Sequence, residues 1–198
     1  MTTMKNMKTL LTALALTLSL TDAGAITFTT NTAIGAGNTT YDGEQITVSG
    51  CTLTVDGPHA FASLAVTNGG VVTHSAAPNG EANNRLELTI AGDVTVDATS
   101  RIDVNGRGFG TGQGTGAGGN CGTTGGGGGG HGGQGGSGSG CGGGSAYGSI
   151  TQPTAWGSGG GRCSPVATAG SGGGTVRLSV AGVLTVDGQL SANGTNGL

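Results

Sequence analysis

Apolar and polar residues alternate along four stretches of this chain: ITVSGCTLTVDG from Ile46, SLAVTNGGVVTHS from Ser63, LELTIAGDVTVDATSRIDVNGRG from Leu86, and VRLSVAGVLTVDGQLSANGTNG from Val176. A period of two puts successive side chains on opposite faces of an extended backbone. Each stretch therefore predicts short β-strands, and the glycines between them predict bends in place of long loops. Leu88, Ile90, Val94, Val96, Ile102 and Val104 fall on one predicted buried face, and Val176, Leu178, Val180, Leu184, Val186, Leu190 and Ala192 repeat that pattern. Helix signals are nearly absent beyond the N-terminal segment.

The stretches are copies of one unit, apolar-x-apolar-x-Gly followed by apolar-x-apolar-Asp. The Leu86 and Val176 copies align if two residues are dropped after Asp97 and Asp187; the Ile46 copy carries one extra residue after Gly50, and the Ser63 copy is weaker. One such unit cannot bury its apolar face alone, so like must stack on like. The prediction is an all-β chain forming a right-handed parallel β-helix or solenoid, with an antiparallel β-sandwich as the competing arrangement. In the solenoid reading, residues 26–105 are N-terminal rungs, 106–174 are a glycine-rich insertion, and 175–198 return as a further rung. That rung is expected to continue beyond Leu198, because an uncapped last rung exposes apolar surface and unpaired strand groups.

The insertion holds 33 of the 47 glycines. Glycine loses more conformational entropy on ordering than any other residue, and closing even a long loop adds little further cost, so a mobile tract is tolerable. Order is also compatible with the sequence. Glycines spaced by three at Gly116, Gly119, Gly122, Gly125 and Gly128 suit close packing of polyproline-II-like strands, although the phase slips further along. The cysteines favour order. Cys51, Cys121, Cys141 and Cys163 permit two disulfides in an exported chain, and three of them lie in the insertion. Cys51 is the weakest candidate partner, because it sits among strand residues where a buried thiol is the alternative.

Export is read from residues 1–25. Lys5 and Lys8 precede an apolar run from Thr9 to Leu20, and Ala23-Gly24-Ala25 has the small-x-small pattern of a signal peptide cleaved after Ala25. The apolar run is shorter than the roughly 20 residues needed to cross a bilayer, so direct membrane insertion is not expected. The mature chain then has no lysine. Its five arginines (Arg85, Arg101, Arg107, Arg162, Arg177) stand against nine acidic residues, a net charge of −4. That balance disfavours nucleic acid and anionic membranes as partners.

Several chemistries fail on the residues they need. A Walker loop requires lysine after its glycines, and no helix pattern follows GTGAGG from Gly114 to present amides to a pyrophosphate. Calcium-binding nonapeptide repeats require periodic Asp, yet no Asp or Glu occurs from Asn105 through Val186. Four prolines are too few for collagen. There is no C-x-x-C, and His59, His74 and His131 are scattered, so neither a metal nor a cofactor is expected. Asp56, Asp93, Asp97, Asp103 and Asp187 are the candidate acid/base carboxylates. Asp56, Asp97 and Asp187 occupy one repeat position, where Asp serves turns, and no catalytic residue is predicted.

The stretch AYGSITQPTAWGSGGGRC from Ala146 carries Tyr147, Trp156 and Arg162, with Pro153 stiffening the loop. Exposed aromatics stack on sugars and Arg pairs with carboxylates, which makes these three the candidate glycan-binding residues. The alternative is that Tyr147 and Trp156 pin the insertion to the strands. The 86–106 unit, the glycine tract, YGSITQPTAWGSGGG and the return GSGGGTVRLSVAGVLTVDGQLSANG together resemble the glycine-rich β-helical modules of large bacterial surface and secreted proteins. The likeness covers nearly the whole mature chain. Such modules include adhesin-type passengers and scaffolds of polysaccharide-acting enzymes. The resemblance therefore implies a secreted or cell-surface module, structural or adhesive and without catalysis. Its expected partners are extracellular polysaccharide, other surface proteins, or copies of itself end to end. A carbohydrate-binding part of a polysaccharide-active protein is the second expectation. An ice-binding protein is the third, since flat strand faces can carry threonine, although Thr-x-Thr is sporadic here.

Overall fold

The computed structural model describes residues 24–122, 125–149, 151–152, 154–164 and 168–197. The predicted leader, apart from its last two residues, and Pro153 lie outside them. The alternating stretches become short strands that visit three sheets in turn. Sheet A holds β1 (Ala25–Phe28), β3 (Gln45–Ser49), β6 (Ser63–Thr67), β9 (Val94–Val96) and β12 (Leu184–Val186) in that order. Sheet B holds β2 (Thr32–Ile34), β4 (Thr52–Val55), β7 (Val71–Thr73), β10 (Arg101–Asp103) and β13 (Gln189–Ser191); sheet C holds β5 (Gly57–Phe61), β8 (Leu86–Ile90) and β11 (Val176–Val180). All ladders between these strands are parallel, so the antiparallel sandwich is not the arrangement. The reason is in the connections, which turn corners into the next sheet and do not reverse into hairpins.

Alternation then aligns like residues along each sheet. Ile26, Ile46, Leu64, Val94 and Leu184 form one inward column of sheet A, and Phe28, Val48, Val66, Val96 and Val186 form the next. Leu53, Val72, Ile102 and Leu190 align in sheet B. In sheet C, Phe61, Ile90 and Val180 share a column. The columns meet in one apolar core in which Ile34, Val48, Leu53, Val66, Val72, Leu86, Ile90, Val94 and Ile102 are fully buried. Burial at roughly 25 cal/mol per Å² of apolar surface drives this stacking.

The two-residue gap between the long repeats reappears as a change of register. Leu86 pairs with Val176 and Val94 with Leu184, ninety residues on, whereas Arg101 pairs with Gln189, eighty-eight on. Two expectations need correction. The Ile46 copy resembles the later copies but occupies other sheets: it runs from A to B, whereas the Leu88 and Leu178 motifs run from C to A. All the corners favour similar Gly and Asp chemistry, so the motif does not report which corner it makes. Second, Leu184, Val186 and Leu190 are 45%, 39% and 45% exposed, and Ala192 is also exposed, because no described strand lies beneath them. Val176, Leu178 and Val180 are half-buried for the same reason.

The opposite end is covered. A loop over 35–44, including a 3₁₀ turn at Thr39–Tyr41 capped by the Asn38 side chain, lies above β5. There Gly43 N–H donates to Ala60 O and Asp42 Oδ1 accepts from Ala60 N–H. Tyr41 meets Phe28 edge-on at 5.2 Å.

Candidate functional site

Residues 106–174 leave after β10 and return at β11, and their described segments pack backbone to backbone. Segment 125–130 is six consecutive glycines. Gly127 and Gly130 N–H donate to Gly119 and Gly116 O, Gly128 N–H donates to Gly136 O, and Gly128 and Gly127 O accept from Gly144 and Gly161 N–H. Four neighbouring segments are thus bonded to one strand, in which Gly127 and Gly130 are buried and Gly125, Gly128 and Gly129 are exposed. A side chain on Gly126 or Gly129 would come within 3.0 Å of Gly161 or Ser158, and one on Gly127 or Gly130 within 3.0 Å of Gly142 or Ser145. Each neighbour is met every third residue, the repeat of a polyproline-II strand. Glycine is required on the two sides that face these backbones, whereas a side chain on Gly125 would meet nothing closer than 4.0 Å and one on Gly128 nothing closer than 3.2 Å.

Tight reversals separate these segments at His131–Gly133 and Gly138–Cys141. The Cys121–Cys141 disulfide, joining residues 20 apart, ties the 106–122 segment to the one starting at Cys141. Cys51 and Cys163 are free thiols. Cys51 is buried and its Sγ–H donates to Phe28 O at 3.3 Å, the buried-thiol alternative.

Tyr147 and Trp156 come together, while Arg162 stands apart. Tyr147 Oη donates to Trp156 O and accepts from Ser158 Oγ at 2.8 Å, and Ser158 Oγ in turn accepts from Gly116 N–H at 2.9 Å. Burial raises the Tyr147 pKa against the opposing Ser158 bond. The Trp156 indole N–H donates to Asn84 O at 3.0 Å, and its ring meets Phe109 edge-on at 5.9 Å. Tyr147 meets His131 at 4.9 Å in the same manner. Both aromatics are half-buried and face protein groups from four segments. Arg162, exposed, lies six residues along the chain from Trp156, and its backbone N–H donates to Asn120 Oδ1 at 2.7 Å, a neighbour that Trp156 does not share.

His74 anchors the return. It is fully buried; its Nδ1–H donates to Ser75 O at 2.7 Å and its Nε2 accepts Thr175 N–H at 3.0 Å. Burial holds its pKa below the ordinary 6.5, with Arg107 acting in the same direction and Ser75 O and Asp56 against it.

The carboxylates sit at or beside corners between sheets. Asp97 accepts from Asn68 N–H and from the Thr99 N–H and hydroxyl, and its pKa falls to about 2. The Ser100 hydroxyl, buried beside it without a full hydrogen bond, is the largest cause, followed by Thr99 and Asn68. Asp56 accepts from Ser75 N–H and Oγ, each at 2.7 Å, and Asp93 from Val183 N–H at 2.8 Å. Asp103 accepts from Asn105 N–H at 2.9 Å. Asp56 turns from B to C, whereas Asp97 and Asp187 turn from A to B, so their shared repeat position is not a shared corner. A groove of about 780 Å³ beside the glycine segments is lined largely by their backbone; its titratable side chains are His131 and Cys163. Among the described residues, no three His, Cys, Asp or Glu converge as metal ligands.

The register also creates a surface that the sequence does not announce. Thr27, Thr47, Ala65, Thr95 and Thr185 are consecutive neighbours on the outward side of sheet A, flanked by Ser49 beside Thr67 and by Ala25, Gln45 and Ser63. No strand of sheet A contains a charged residue. Sheet B carries Arg101 and Asp103, and sheet C carries Glu87 and Arg177, paired at 3.0 Å. Comparison with protein-family models, curated proteins and solved structures gives no match.

Proposed function

We propose that the three sheets are the faces of a right-handed β-solenoid, and that the chain is an exported surface module, structural or adhesive, that carries out no catalysis. The observation that carries this reading is the stacking register: each strand pairs in parallel with the strand of its own sheet from the circuit before. Such stacking builds a stiff rod with long, regular outer faces, a form suited to holding or presenting surface. The carboxylates of Asp56, Asp93 and Asp97 accept backbone hydrogen bonds, and the bridged Cys121 and Cys141 suit an oxidising compartment. The likeness to glycine-rich modules of bacterial surface and secreted proteins belongs to this reading.

Fractionation of the producing cells tests it. A chain lacking residues 1–25 in the surface or medium fraction supports the reading, and an uncleaved cytosolic chain contradicts it. A glycan array on the mature chain separates holding from adhesion: a saturable, sugar-competed signal would overturn a purely structural role.

A further inference from the structure

We infer that the outward side of sheet A is a binding face for ice. The inference rests on the solenoid reading and names the ligand of its adhesive form. Parallel neighbours lie about 4.8 Å apart, so the register that aligns Thr27, Thr47, Ala65, Thr95 and Thr185 builds a row of small side chains at that regular repeat. A second, shorter row pairs Ser49 with Thr67 two residues away along the strands. Thr27, Thr95 and Thr185 are exposed and Thr47 is half-buried; among the described residues, none of these four hydroxyls is taken by another side chain or by the backbone.

Each threonine offers one hydroxyl, which can bridge to water, and one methyl, which restricts the water beside it. Repeated at the strand spacing along the ladder, the pair holds water in a regular array that a growing crystal can incorporate. Charge selects the occupant. Sheet A carries none in its strands, so it has nothing to pair with a phosphate or an acidic sugar, whereas sheets B and C each carry both signs. A neutral lattice of hydrogen-bonding oxygen atoms complements such a face. Crystalline sugar would call for aromatic rings, and no aromatic side chain occupies an outward position of sheet A: its one aromatic, Phe28, points into the core.

Ice-affinity partitioning of the mature chain tests this, with crystal shaping as a second readout and circular dichroism to check folding. The expected result is enrichment in ice and faceted crystals for the native chain. Thr47→Tyr and Thr95→Tyr, each placing a bulky ring in the row, should reduce enrichment at least tenfold. Thr89→Tyr, exposed on sheet C, should leave it unchanged. Exclusion of the folded native chain from ice would overturn the inference, and so would equal losses in the sheet A and sheet C variants. A chain excluded from ice that still adheres to glycans or cells would overturn the ice face alone and leave the adhesive reading standing.

Discussion

His74 Nε2 accepts the backbone N–H of Thr175, 101 residues further along the chain, and so fixes the point where the glycine segments rejoin the strands. The bond requires a neutral imidazole, because a protonated ring has no acceptor left. The unfolded chain binds a proton at the ordinary pKa of 6.5, while burial lowers the folded value. The unfolded state therefore takes up protons first, and stability falls as pH drops below 6.5 until the lowered folded pKa is reached. Denaturant midpoints measured from pH 7.5 downward should decline over that window, and His74→Ala should flatten the decline. The same substitution leaves Thr175 N–H buried without a partner, at a cost of about 1–3 kcal/mol.

Glycine positions in the insertion should divide sharply. Gly126→Ala drives a methyl into Gly161 O, whereas a methyl at Gly142 meets nothing within 4 Å. Overpacking costs about 1–3 kcal/mol, so Gly126→Ala should melt earlier. Gly142→Ala should be neutral or more stable by about 0.4–1 kcal/mol, through reduced freedom of the unfolded chain. Thermal melts of the two variants decide it.

Much of this was legible in the alternation of the strands. Two dropped residues after Asp97 and Asp187 are enough to foretell the change from a ninety- to an eighty-eight-residue register. Other features were not legible. Glycines from Gly116 to Gly128 recur at a spacing of three but do not show which segments they meet, because backbone-to-backbone packing leaves no residue-type signature on the partner. The row of Thr27, Thr47, Thr95 and Thr185 is hidden by circuits of unequal length, and only the ladder of sheet A shows it. Tyr147 and Trp156 stood out as rare aromatics, but their inward hydrogen bonds depend on Asn84 and Ser158, which nothing in the sequence links to them.

Trp156 should act as a pin. Trp156→Ala removes the Asn84 bond and the Phe109 contact. For a half-buried ring the cost should be about 2–3 kcal/mol, below the ~3–5 of a fully buried site. Limited proteolysis should then cut within 106–174 sooner than in the native chain. Unchanged stability with lost sugar affinity would instead assign the ring to ligand.

Thiol labelling should separate the four cysteines into three classes. In the native chain Cys163 reacts and buried Cys51 does not; Cys51 reacts after unfolding, and Cys121 and Cys141 only after reduction. Reduction should destabilise by about 3 kcal/mol, the entropy of a loop of this size. Native labelling of Cys121 or Cys141 would contradict the pairing.

That the glycine tract is a packed part of the fold, with one strand hydrogen-bonded to four neighbouring segments, is tested most directly by amide hydrogen exchange. The amides of Gly127, Gly128, Gly130, Gly135 and Gly144, each donating to a neighbouring segment, should exchange slowly, at rates comparable with those of the sheet strands. Exchange of those five amides at the rate of an unstructured peptide, while Val96 and Ile102 stay protected, would contradict it.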